Sequence, residues 1–469
     1  MRKAIDFKGK SNKTLYRLSL IVFILKIYFI FTLPVLNGWK FSGHALLGAD
    51  GESYLTGVDA LLRDGFFSNS EILNYWPAGY PILLVIFGIF GSSNALTAVS
   101  MFQTLLYSFS VYIFCKKLNL TEIRKAVPII ATILLINPTL SMSTFCIGYE
   151  SVIASGFLII VSIYLSSANS PSQDRMKSLF FIMILLSVMG FLQPRILLAS
   201  VPILVLFFYN GIEKKKKLIA VIVSAILLFS LPLLLIFRNY EAIGLKVISM
   251  NLGVTMNIGA GDNATGGYMT KWDGVPCNKS KNKVSVPPEL KVSESDYSRY
   301  YIDKETTKCV IDWYLKNPVK GVKLFWKKSV FFWSPWYGVL ANGTMARNPW
   351  LQFHPLKLMM KNEAGFKFVT GTFGIVFSWI WLFSTLLLLF YGFYLTQKLG
   401  RNLKYLSYFM LGIILSSWIV TLISIGDHRF RIPIMGMSLT FQALALSSFT
   451  KKSPFALIRK NSTISKLNK

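Results

Sequence analysis

The sequence predicts an all-α polytopic membrane protein of about ten transmembrane helices, with both termini cytoplasmic, interfacial helices in the first outer loop and one large extracytoplasmic loop domain. Three observations predict it. Hydrophobic residues make up 53% of the 469 positions and charged residues only 15%, whereas a soluble fold carries about a quarter charged residues. Several apolar runs reach the roughly 17 to 25 residues that a membrane span requires. Lys and Arg also gather in alternate connections between those runs, as cytoplasmic loops do. A cytosolic enzyme, a disordered scaffold and a small disulfide-stapled secreted domain are excluded. Lys and Arg number 50 against 21 Asp and Glu, a net charge of +29. In a soluble chain that excess would point to nucleic acid. Here positive inside loops account for it, and no nucleic-acid partner is expected.

The elements follow in order. The first run, about Leu15 to Leu36, comes after Arg2, Lys3, Lys8, Lys10, Lys13 and Arg17 and lacks a small-residue cleavage site, so it reads as a retained span. Residues 37–93 form the first outer loop. Within it, Asn37 to Tyr80 holds Asp50, Glu52, Asp59, Asp64 and Glu71 but only Lys40 and Arg63. Pro81 to Gly91 is apolar yet would extend only about 16 Å as a helix, half the hydrocarbon core, so it belongs at the interface. Asn94 to Cys115 returns to Lys116, Lys117, Arg124 and Lys125. Val127 to Met142 and Glu150 to Leu165 make a hairpin. Leu179 to Tyr209 is interrupted by Gln193-Pro194-Arg195 and has basic residues at both flanks, which predicts two short spans with Arg195 at the outer turn. Leu218 to Phe237 crosses outward and completes an N-terminal module, 1–237. Residues 238–367 form the loop domain. Val369 to Leu395, Tyr405 to Ile425 and Ile432 to Phe449 close a C-terminal module, 368–469, with a basic tail. The four cysteines have no zinc or haem spacing; Cys277 and Cys309, both outside, read equally well as a disulfide or as two thiols.

With 21 acids, nearly all the non-cytoplasmic ones outside, acid-dependent chemistry is expected on the extracytoplasmic face. Asp50 and Glu52 stand beyond the first span, next to Tyr54; a carboxylate there could deprotonate a hydroxyl at the membrane surface, or be a solvated loop acid. Trp76 and Tyr80, in a stiff Trp-Pro-Ala-Gly-Tyr-Pro turn, read as a sugar-stacking wall or as interfacial anchors. Glu150, at the outer end of a span, is either a functional acid or a charge favoured by the helix dipole. Arg195, Arg238 and the Asp427-His428-Arg429-Phe430-Arg431 cluster fall at outer ends, where positive-inside statistics disfavour arginine. A guanidinium fork binds phosphate, which suggests an anionic head group; ion pairs with outer acids are the alternative. No Walker, HExxH or GxSxG motif occurs, and three His leave little room for a His-based centre.

Three pieces resemble the GT-C superfamily of polytopic glycosyltransferases, in the branch of protein O-mannosyltransferases and aminoarabinose transferases. They are Asp50 to Tyr54 followed by Trp76 to Leu84, the Arg238-Asn239 to Tyr268 run, and Gly426 to Met435. The chain differs from one sub-branch in having Trp76-Pro77-Ala78-Gly79 in place of Lys-Pro-Pro, and from the other in the Gly51 that separates Asp50 from Glu52. The resemblance implies an inverting transferase in the plasma (inner) membrane, active on the extracytoplasmic side. It implies a polyprenyl-phosphate sugar donor and a glycan, lipid or protein acceptor among membrane lipids. Asp50 maps to the family's base and Glu150 to its assisting acid. The expected substrate-binding set is Glu52, Tyr54, Trp76, Tyr80, Arg195, Arg238, Asn239, His428, Arg429 and Arg431. The resemblance names no cofactor, and a divalent cation held by Asp50, Glu52 and Glu150 stays open. Two other readings remain. An O-antigen-type polysaccharide ligase or polymerase would share the arginines but not need Asp50, and a lipid-linked sugar flippase or transporter would place ionisable groups mid-span.

Overall fold

A computed structural model describes residues 13–28, 46–47, 50–91, 94–168, 171–210, 212–213, 216–268, 274–275, 286–287, 292–334 and 363–449. Helix α1 (13–28) leads, after the strand β1 (Leu46–Leu47), to α2 (Gly51–Asp64), α3 (Glu71–Tyr75) and α4 (Gly79–Ile86). Then come α5 (Ala95–Leu118), α6 (Val127–Ile136), α7 (Pro138–Met142), the two-residue strand β2 (Cys146–Ile147) and α8 (Glu150–Ser167). Helices α9 (Ser172–Leu192), α10 (Ser200–Asn210) and α11 (Lys217–Ile243) finish the first module. The loop domain carries α12 (Leu252–Ile258), α13 (Glu294–Lys316) and α14 (Pro318–Trp333). Helices α15 (Glu363–Thr370), α16 (Thr372–Gln397), α17 (Arg401–Ile423) and α18 (Ile432–Ser448) follow.

A helix occupies each segment expected to span, but the helices differ in length. Among the described residues six are long and apolar enough to cross a membrane: α5, α8, α9, α11, α16 and α17. The bent pair Arg124–Ile136 and Thr139–Phe145, at 60°, would make a seventh. The protein is therefore a multi-pass helical membrane protein. Helices α10 and α18, at 11 and 17 residues, are shorter than those six. Local chemistry explains the breaks. Asn137 accepts the amide of Leu140 at 2.9 Å and Pro138 takes the first helical position, so α7 restarts at a new angle. Pro194 pushes Gln193 to an extended conformation (φ −152°, ψ 101°), which ends α9 one residue earlier.

Helix α18 is buried on nearly every side, as a helix apolar all round should be. It packs on α6, α8 and α16; Gly392 of α16 lies so close to the Phe441 carbonyl that a Cβ would collide with it. Strands β1 and β2 pair in parallel, Leu46 with Cys146 and Leu47 with Ile147, which joins the segment ahead of α2 to the segment ahead of α8. In the loop domain, Met256, Val310, Trp313 and Leu324 form a small core of their own. Cys309 is disulfide-bonded and Cys115 and Cys146 are free and buried, while Cys277 lies outside the described residues. One boundary moves. The Gly/Asn-rich segment expected to start a loop at Arg238 begins as helix, because α11 continues six residues past the expected end of its span at Phe237.

Candidate functional site

Two carboxylates and one guanidinium meet where three segments at helix ends converge. Asp50 is the N-cap of α2 but makes no side-chain capping bond, which leaves its carboxylate to reach outward. Glu150 opens α8. Each acid stands three residues beyond its strand, so the Leu47–Ile147 pairing sets them side by side. Both sit at helix N-termini, where the backbone dipole favours negative charge. Arg429 comes from the short 3₁₀ segment His428–Arg431 ahead of α18; the Asp427 side chain caps this segment by accepting the Arg429 amide at 2.9 Å. Arg429 Nη1 donates to Asp50 Oδ2 at 2.5 Å, and its Nε donates to Glu150 Oε1. The Arg429 and Glu150 side chains are 7% and 8% exposed, but Asp50 keeps 19%. Of the two acids, Asp50 is the more open to an incoming group.

Aromatic rings wall the cluster. Tyr54, Tyr80 and Tyr149 make edge contacts at 5.0 to 6.3 Å between centroids. Burial pushes all three phenols above their usual range, so they act as neutral hydrogen-bonding groups rather than bases. The Tyr80 hydroxyl accepts the Gly148 amide at 2.8 Å and donates to Gln103 Oε1 at 3.2 Å. Gln103 Nε2 in turn donates to the carbonyls of Thr144 and Cys146, which pins the turn leading into Glu150. Arg195 Nη2 and Gln193 Nε2 both donate to the Tyr149 hydroxyl, at 3.1 and 2.7 Å. The Arg195 guanidinium stacks 3.7 Å from the centre of the Phe430 ring. A second cation thus stands one tyrosine away from Arg429, which itself lies 5.8 Å from that ring.

The remaining expected residues lie elsewhere. Glu52 is exposed on α2, and Trp76 is half-buried against Tyr75. Arg238 is fully buried and donates to the carbonyls of Phe66, Ser68 and Leu73 and to Asn74 and Asn239 Oδ1. Asn239 Nδ2 donates to the carbonyls of Val247 and Ile248. This pair fastens the 66–74 segment to α11 and offers its donors to protein rather than to a ligand. His428 is buried beside Ser334, with Nδ1 at 3.3 Å from Oγ. Burial and the neighbouring Arg431 lower its imidazole to about 3, so it is neutral and supplies no charge for a phosphate. Arg431 Nη2 donates to the Ser334 carbonyl at 3.2 Å, which anchors α14. Among the described residues no three His, Cys, Asp or Glu side chains are grouped to hold a metal ion.

Three contributors were not expected. Tyr149 and Gln193 adjoin Glu150 and Arg195 in sequence, and their place at span ends was the available signal. Lys328 is buried on α14 and donates to the carbonyls of Leu422 and Ser424 at 2.8 and 2.6 Å, closing the C-terminus of α17 just ahead of Asp427. The backbone also joins two of the sequence motifs, since the Gly426 amide donates to the Gly266 carbonyl at 2.9 Å. Gly266 has φ +94°, a conformation other residues rarely adopt. No family model matches this chain, and no curated protein gives a significant match.

Proposed function

We propose that the protein is an inverting glycosyltransferase of the plasma (inner) membrane that moves a sugar from a polyprenyl-phosphate donor to an acceptor hydroxyl on the extracytoplasmic side. In this reading the chain crosses the membrane ten times, with both termini inside. The observation that carries it is the meeting of Asp50, Glu150 and Arg429, two acids on one permanent cation at the ends of helices. The donor's isoprenoid tail lies among the spans. Its phosphate competes with Asp50 for Arg429 Nη1, and Arg195 lies within one residue's reach to share the charge. Asp50, released from that hydrogen bond, takes the proton of the acceptor hydroxyl. The hydroxyl oxygen bonds to the anomeric carbon from the opposite face while the bond from that carbon to the phosphate oxygen breaks. The electron pair leaves with the phosphate, where Arg429 stabilises it. Glu150, more enclosed, keeps Arg429 in place throughout.

Purified protein supplied with radiolabelled polyprenyl-phosphate hexoses tests the reading. Release or transfer of label supports it. Tight lipid binding with no turnover from any donor would favour a ligase or a flippase instead.

A further inference from the structure

The end of the bundle away from the acid–arginine cluster has chemistry of its own. Helix α8 starts at Glu150 and ends at Ser167, about 27 Å further on. Helix α17 runs the other way, from Arg401 towards Asp427. At that far end lie three adjoining cavities of about 410, 380 and 340 Å³. The first shares Arg401 with the second and Lys117 with the third; the second and third share Ser167. The three adjoin one another through these shared residues, among α5, α8, α9, α10 and α17.

The lining changes from one cavity to the next. The third cavity is walled by Ile113, Ile159, Ile163 and the exposed ring of Phe181, with Ser162 and Ser178 among them. Within two turns of α8 the wall becomes Ser166 and Ser167, with Lys117, Arg175 and Arg401 around them. Glu122, an acid in that lining, is engaged by the Gly400 amide at 2.7 Å. Arg175 is oriented by donating to the Ala168 carbonyl at 2.7 Å, and Arg401 rests over the Tyr405 ring. A largely apolar trough leading to two guanidinium groups and an ammonium has the polarity order of a phospholipid, acyl chain first and phosphate last. Basic pockets between membrane helices suit anionic head groups.

We propose that these adjoining cavities are a binding site for an anionic phospholipid of the leaflet at the basic end, its phosphate between Arg175 and Arg401 and one acyl chain along α8. The site is independent of the transferase reading. Native mass spectrometry of the purified protein with phosphatidylglycerol, phosphatidylcholine or inorganic phosphate tests it. The wild type should retain phosphatidylglycerol about ten-fold better than phosphatidylcholine, and the Arg175→Gln/Arg401→Gln variant should lose that preference. Equal retention of the two lipids, or a preference unchanged in the variant, would overturn the site. Displacement of the lipid by millimolar phosphate would reassign it to a free anion and overturn the lipid assignment. Should the variant fail to fold, a photoactivatable phosphatidylglycerol added to wild type decides: crosslinks within 159–181 and 401–405 support the site, and crosslinks confined elsewhere refute it.

Discussion

Arg429 Nη1 donates to Asp50 Oδ2 at 2.5 Å across 379 positions of sequence, and the same guanidinium holds Glu150 through Nε. One cation serves two carboxylates with little water around them. Neither acid is fully compensated by the one cation, so an anion that takes part of Arg429 alters both contacts at once.

Removing the cation should be costly. Arg429→Met leaves Glu150 buried and Asp50 mostly buried with no cation in contact, a loss of about 3 to 5 kcal/mol for a buried pair broken on one side. The expected result is a clearly lower melting temperature in detergent, partly recovered when Glu150→Gln is added. A single variant as stable as wild type would mean that the contacts contribute little.

Arg238 should behave differently. Its donors hold the carbonyls of residues 66–73, so Arg238→Ala should speed hydrogen exchange across 66–75. Apparent donor affinity should change little in that variant. Lost affinity with unchanged exchange would return Arg238 to the substrate site. Arg238→Lys should not rescue, because an ammonium cannot reproduce the fork.

Tyr80→Phe removes the acceptor of the buried Gly148 amide, at a cost of about 1 to 3 kcal/mol. Turnover should fall with the placement of Glu150, together with a lower melting temperature. Unchanged turnover would show that the turn before Glu150 holds itself.

Burial raises the Asp427 carboxyl from 3.8 to about 7, against the opposing pull of the Arg429 amide and the Arg429 and Arg195 charges. The folded protein therefore keeps a proton that the unfolded chain has released between about pH 4 and 7. Stability should fall as pH rises through that window and level off above it. Melting temperatures across the window should show this slope in wild type and a shallower one in Asp427→Asn; equal slopes would assign the dependence to other groups.

The transmembrane architecture was legible because spans announce themselves by length, apolarity and flanking charge. Asp50, Glu150, Arg195 and Arg429, which the structure brings close together, stood out in the sequence for a related reason: few acids fall in the segments read as outer, and arginine at such an end needs a partner. The structural contacts of Arg238 left no signal because its backbone partners lie 165 to 172 positions away, in carbonyls that any sequence possesses. His428 looked like a ligand because its identity is visible and its burial is not. The ladder that sets Asp50 beside Glu150 is two residues long, too short to leave an alternating pattern. Lys328 gave no signal either, since a lysine that caps another helix reads as one more surface charge.

The most direct measurement compares wild type and Asp50→Asn for transfer from radiolabelled polyprenyl-phosphate hexoses, with melting temperature recorded for both. The base role predicts turnover in wild type and a loss of about a hundred-fold or more in the variant, with donor binding retained. Wild-type turnover that survives intact in Asp50→Asn would contradict it and remove Asp50 from the chemistry.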